Sequence, residues 1–145
     1  MKVVLQRVKR ASVTIDSQLH SQIGRGLLVL IGVEKTDEKV NAEKVAQKIS
    51  VLRVFEDGND KMNFSVKDVG GEVLVVSQFT LCGDCKKGTR PSFDSSAAPD
   101  KAVELYEYFV ECVKREGLSV QTGQFGAMMD VELVNDGPVT LVLQK

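Results

Sequence analysis

Tryptophan is absent from this 145-residue chain and histidine occurs once, at His20, so a multi-histidine metal site cannot form within one chain. Cysteine is scarce and odd in number, with three thiols at Cys82, Cys85 and Cys112. A chain of this length can bury a core without staples, so the count argues against a disulfide scaffold and for a reducing, cytoplasmic setting. Long apolar runs are missing as well. The longest, Leu27 to Ile31, is far short of the roughly 20 residues that cross a bilayer, and the opening MKVVLQRVKR has no small-residue cleavage site, so neither a membrane span nor a secretory leader is expected. No sign of charge is in excess, with 19 Lys and Arg against 20 Asp and Glu, which argues against a protein that coats DNA or long RNA. That balance leaves room for a local contact with one end of an RNA.

Punctuation is sparse too, at 3 prolines and 12 glycines with no repeat or low-complexity stretch, and the chain reads as one domain over residues 1–145. Residues 2–9 and 11–16 carry the Val, Ile and Thr of strands with one wet face. Gly26 to Val33 is apolar on both faces and reads as a central strand. Thr36 as N-cap, acidic Asp37 and Glu38, and apolar residues at helical spacing predict a helix over about 37–50. After turn signals at Asp57–Asp60 and Gly70-Gly71, EVLVVSQF predicts a second buried strand, 72–79. A polar loop follows from about 82 to 97, and then a helix from Pro99 with the stripe Leu105, Tyr106, Phe109, Val110, Val113, stopped by Gly117. The tail predicts strands near 118–122, 128–134 and 139–143, broken at Asn135–Pro138. The order of elements points to an α+β domain with a curved, barrel-like, largely antiparallel sheet and two main helices.

Four groups of residues could carry chemistry. Cys82-Gly-Asp-Cys85 has the spacing of zinc and thiol-redox sites, but a closed zinc site needs four ligands and a redox pair opens a helix, whereas Lys-Lys-Gly-Thr-Arg-Pro follows here. It reads as a pair of incidental thiols, and no metal or cofactor is assigned. Ser77, Gln78, Phe79 and Thr80 interrupt an apolar strand as it ends. Buried polar groups cost about 1–3 kcal/mol when unpaired, so the group is either a sheet cap or a site, and no histidine is positioned to make Ser77 or Thr80 a nucleophile. Gly137-Pro138 is either a plain chain reversal or a held cis turn; cis is found at only about 5–6% of X-Pro bonds. Lys86, Lys87 and Arg90 with Phe93 fit phosphate contacts beside a stacking platform, or a solvated loop.

Several of these stretches occur together in one known family. Met1-Lys-Val-Val-Leu-Gln-Arg-Val8, Lys61–Val66, Gly70–Leu81 with its SQFTL end, Lys87–Phe93, Gly123–Ala127 and the NDGPVT turn of Val134–Thr140 make the chain resemble the D-aminoacyl-tRNA deacylases over nearly its whole length. The resemblance implies a homodimer whose active sites each combine the SQFTL segment of one subunit with a Gly137-cisPro138 turn from the other. It further implies that the turn's carbonyls face the substrate's α-ammonium and that Arg7 helps to hold the turn, where the sequence alone would make Arg7 a surface strand residue. The cysteine pair has no part in the family's functional pattern.

The implied reaction is hydrolysis of the ester between a D-amino acid, or glycine, and the 3′-terminal adenosine of tRNA. The ester is already activated, so the missing histidine fits catalysis by orientation, by backbone N–H groups around Phe79 and Thr80, and by the RNA's own 2′-hydroxyl. Fixed carbonyls would leave room for a D side chain and none for an L one, and glycine has nothing to reject. A rival reading on the same fold is a non-catalytic dimeric module that binds a tRNA end or a small ligand.

Overall fold

The computed structural model describes residues 1–145. Strand β1 (Lys2–Ile15) turns back into β2 (Gln18–Ile23), and β3 (Gly26–Gly32) follows; helix α1 (Lys39–Val51) leads to a short flap of β4 (Phe55–Glu56) and β5 (Met62–Phe64). Strand β6 (Glu72–Ser77) ends in a 3₁₀ turn (Phe79–Cys82), and α2 (Pro99–Arg115), β7 (Ser119–Thr122) and β8 (Asp130–Gln144) complete the chain. The main sheet runs β2-β1-β3-β6-β7, with β8 along the other edge of β1. All three partners of β1 are antiparallel to it, whereas β3, β6 and β7 run parallel. The hydroxyl of Ser21 on β2 donates to the Thr122 carbonyl on β7, drawing the sheet into a nearly closed barrel. No helix is long and apolar enough to cross a membrane.

The two helices cover one face of the sheet. Helix α1 buries Ala42, Val45, Ala46 and Ile49, and α2 buries the stripe from Ala102 through Leu105, Phe109 and Val113. They meet Val3, Leu5, Val29, Ile31, Val73 and Val75 in the main core. A smaller cluster of Val8, Ala11, Val13, Ile23, Leu28, Leu74 and Val76 fills the other face of the curved sheet. Because β3 and β6 contribute side chains to both clusters, their sequences lack the alternation of a half-wet strand.

Several sequence expectations change in detail. The predicted strands 2–9 and 11–16 are one strand, and β2, which pairs with its second half, was not anticipated. Helix α1 starts two residues late: Glu38 is its N-cap in a capping box with Asn41, not Thr36. Asp37 turns inward instead, where it is 3% exposed, takes the amide of Glu34 at 2.7 Å and binds the Met1 ammonium. The strand predicted over 72–79 stops at Ser77, and Phe79 and Thr80 belong to the 3₁₀ turn. The predicted break at 135–138 lies inside β8, as a slip in its register with β1.

Candidate active site

Strand β6 delivers the Ser77–Thr80 segment to the carboxyl end of the parallel pair β3–β6. Ser77 is level with Ile31, and the amide of Gln78 still donates to the Ile31 carbonyl at 2.8 Å before the chain turns away. The 3₁₀ turn then closes through Leu81 N–H to Gln78 O (3.1 Å) and Gly83 N–H to Thr80 O (3.0 Å). The first amides of such a turn have no partner within it, and here these are the N–H groups of Phe79 and Thr80. The Phe79 ring is 54% exposed, and its edge meets Phe93 with ring centroids 5.1 Å apart. The side-chain amide of Gln78 donates to the Thr80 hydroxyl.

Beside this segment lies a recess of about 240 Å³ bounded by Val33, Ser77, Phe79, Ser96, Ala97, Pro99, Ala102 and Phe125. None of these eight residues ionises. The N-terminus of α2 forms one wall, fixed by the amide of Ala97 donating to Val33 O at 3.0 Å. Phe125 rests on Tyr106, with centroids 5.8 Å apart. The buried Tyr106 hydroxyl donates to Val75 O at 3.0 Å, and burial pushes its pKa up to about 12, so it is a neutral prop and not an acid or base.

Lys86, Lys87 and Arg90 sit, all exposed, at the tip of a loop pinned by the reciprocal Asp84–Ser92 backbone pair. Phe93, at the root of that loop, is the member that reaches the recess, through Phe79. Cys85 is exposed and Cys82 is buried against the Val33 carbonyl. Burial, and then the Glu34 carboxylate, push the Cys82 thiol up, so it is not a thiolate. No group of His, Cys, Asp and Glu is arranged to hold a metal ion.

The Gly137-Pro138 peptide bond is cis, and both residues are exposed. Arg7 is buried, at 3% exposure, and not on the surface. Its Nε donates to Asp136 O at 3.1 Å and its Nη1 to Val54 O at 2.7 Å. The turn and the Ser77–Thr80 segment are not brought together within one chain. Arg7 is level with Leu27 and Val73, whereas Ser77 stands four residues farther along β6, level with Ile31 and Val3. Between β8 and β6 lie β1 and β3. At about 3.3 Å per residue and about 4.8 Å per strand, that is an offset of roughly 13 Å along the sheet and 14 Å across it.

The fold has close solved counterparts. A structure described as the c-Myc DNA unwinding element binding protein is 43% identical, with a TM-score of 0.93 and coverage of 100% of this chain and 99% of that one. Another, described as a probable eukaryotic D-amino acid tRNA deacylase, shares the fold at 17% identity, with a TM-score of 0.86 over 98% of this chain and 97% of its own. The chain belongs to the D-Tyr-tRNA(Tyr) deacylase family, whose model matches residues 4–144. Relatives named D-aminoacyl-tRNA deacylase include proteins of Koribacter versatilis, 60% identical over 99% of this chain and 96% of theirs, and of Bacillus cytotoxicus, 56% identical over 99% of both. These relatives are enzymes by name, hydrolases of the aminoacyl-tRNA ester bond.

Sequence reasoning missed Ser96, Ala97, Pro99, Ala102 and Phe125 as recess walls, and Val54 as a partner of Arg7. Pro99 was legible only as a helix start. Phe125 lay in one of the stretches shared with the family and could have been found there. Nothing in the sequence marks a bare carbonyl such as that of Val54.

Proposed function

We propose that the protein hydrolyses the ester joining a D-amino acid, or glycine, to the 3′-terminal adenosine of tRNA, and that it does so as a homodimer. The observation that carries this reading is the recess beside Ser77–Thr80: apolar, open at the end of a parallel strand pair, and walled without a single ionisable side chain. Such a site suits an acyl ester that is reactive on its own and needs chiefly to be oriented. Water adds to the ester carbonyl carbon, the bond to the ribose 3′-oxygen breaks, and that oxygen takes the proton, giving tRNA and the free amino acid. The neighbouring 2′-hydroxyl positions the water. The amides of Phe79 and Thr80 receive the charge that develops on the carbonyl oxygen, the recess takes the apolar body of the terminal nucleoside, and Lys86, Lys87 and Arg90 meet acceptor-end phosphates.

Stereochemistry needs the second subunit in this reading. The offset between Gly137-Pro138 and Ser77 is too large for one chain to join them around one α-carbon. A partner's turn at the mouth of the recess would hold the α-ammonium by its backbone carbonyls and collide with an L side chain, while a D side chain points away and its identity matters little.

A deacylation time course with D-tyrosyl-, L-tyrosyl- and glycyl-tRNA, with sedimentation of the same sample, tests this. Cleavage of the D ester and of glycyl-tRNA by a dimer, with the L ester spared, is the expected result. tRNA binding with no turnover would establish the rival binding module, and D cleavage with intact glycyl-tRNA would remove the steric account of selection.

A further inference from the structure

Arg7 faces a stretch of β8 that has left its ladder. Strand β1 pairs Gln6 with Thr140 and Val8 with Asn135, so Asp136–Val139 lie opposite the single residue Arg7. The guanidinium fills that gap. Its Nε bonds the Asp136 carbonyl at 3.1 Å and lies 3.4 Å from the Asp136 carboxylate, and a Cβ on Gly137 would come within 2.6 Å of Nη2. Its two Nη groups also reach the β4–β5 flap: Nη1 donates to the carbonyl of Val54, just before β4, at 2.7 Å, and Nη2, the nitrogen beside Gly137, donates to Glu56 Oε1 at 3.4 Å. A guanidinium is a rigid planar fork, so what holds its Nη edge also sets the angle at which its Nε edge meets the turn. Glu56 is the flap side chain that engages that edge.

We infer that Glu56 is a positioning residue for stereochemical selection: by holding Nη2 of Arg7 it fixes the Gly137-Pro138 turn in the pose from which the turn excludes an L substrate. This rests on the proposed function. Glu56 is half exposed, and without it the buried guanidinium still keeps the Val54 and Asp136 carbonyls and the Asp136 carboxylate, so loss of Glu56 should register in selectivity more than in Tm.

The test compares the wild type, Glu56→Gln, Glu56→Asp and Glu132→Gln in kcat/KM for D- and L-tyrosyl-tRNA, with Tm as a check on folding. Glu132 pairs with Arg10 at 3.2 Å on the same two strands, away from the turn, and serves as control. The expected result is a fall of about tenfold or more in the D-to-L ratio for Glu56→Gln, through a gain in L hydrolysis, with partial rescue in Glu56→Asp and no change in Glu132→Gln. A wild type that prefers D while Glu56→Gln keeps the same ratio overturns this inference alone. A fall in both activities together with a lower Tm also overturns it, as the mark of a merely structural pair. A wild type without preference overturns the functional reading and this inference with it.

Discussion

The Gln78 side-chain amide donates to the Thr80 hydroxyl, which is thereby occupied as an acceptor by a neutral group and is hydrogen-bonded to neither a carboxylate nor an imidazole. A hydroxyl in that state is poorly prepared to attack an ester. Thr80→Ala keeps the backbone N–H and should retain kcat within about tenfold of wild type. Thr80→Pro removes the N–H at the second position of a 3₁₀ turn, where no bond within the turn depends on it, and should cost about 10²–10³ in kcat. Single-turnover deacylation of D-tyrosyl-tRNA measures both. Complete loss in Thr80→Ala would make Thr80 the nucleophile and remove the backbone-donor account.

The cysteine pair should be dispensable. Cys85 points into solvent from the loop, and the buried Cys82 thiol lies against the Val33 carbonyl at 3.5 Å. Cys85→Ser should be neutral in rate and stability. Cys82→Ser should keep the rate and lose a little Tm, because a hydroxyl replaces a well-packed sulfur. Added zinc chelator or dithiothreitol should change neither rate. Abolished activity in the double variant would revive a thiol or zinc role.

If the loop of Lys86, Lys87 and Arg90 meets phosphates, its worth lies in the salt dependence of binding. Each phosphate contact contributes about 0.7–0.9 to the slope of log K against log salt. Replacing all three with Ala should make that slope shallower by about two to three and raise KM while leaving single-turnover kcat near its wild-type value. An unchanged slope, measured by filter binding of aminoacyl-tRNA from low to moderate salt, would return the loop to the solvated surface it resembles in composition.

The parts of this fold that the sequence discloses are those that rest on local periodicity. The α2 stripe from Leu105 to Val113, the apolar run of β3 and the stop at Gly117 all follow from spacing alone, and the structure has them where expected. Legibility ends where a long-range partner decides. Thr36 is the better cap by residue type, yet the N-cap is Glu38, boxed with Asn41, while Asp37 is claimed from outside the helix by the Met1 ammonium and the Glu34 amide. β2 is polar and largely exposed, and it is a strand because β1 supplies the ladder. At the site, Ser77 to Thr80 stand out as polar residues ending an apolar strand, but Arg7 reads as an outward residue, since its burial is made by carbonyls at positions 54 and 136 that no side-chain pattern records.

Gly26 begins β3 directly against Glu72. A Cβ there would overlap the Glu72 carbonyl oxygen and stand 2.8 Å from that residue's carbonyl carbon and amide nitrogen, all of it backbone at the seam of two central strands. Gly26→Ala should therefore force β3 and β6 apart and unfold the protein at ordinary temperature or lower Tm steeply. At Gly58, in the flap turn, nothing lies within 4 Å, and Gly58→Ala should be nearly neutral. Thermal melts of the two variants check this, and similar Tm values would mean that the seam is softer than its geometry implies.

Glu116 ties three segments at the end of α2. It accepts from Lys67 Nζ at 3.1 Å and from Ser50 Oγ, at the end of α1, at 3.0 Å. These two bonds, that of Lys67 foremost, hold its carboxyl below the ordinary glutamate value. A carboxyl whose folded pKa is depressed binds its proton more tightly in the unfolded chain, so its contribution is complete above the unfolded value of about 4.3 and is lost as the pH falls through the folded one. Glu116→Gln should accordingly lower stability in urea at pH 7, and the gap to wild type should narrow progressively below about pH 4 and close in stronger acid. The site beyond the other end of α2 contains no ionisable lining residue, so kcat should be the same in the variant and the wild type at every pH where both are folded. A stability gap that stays constant from pH 7 to 3 would mean that Glu116 acts through packing and not through its charge.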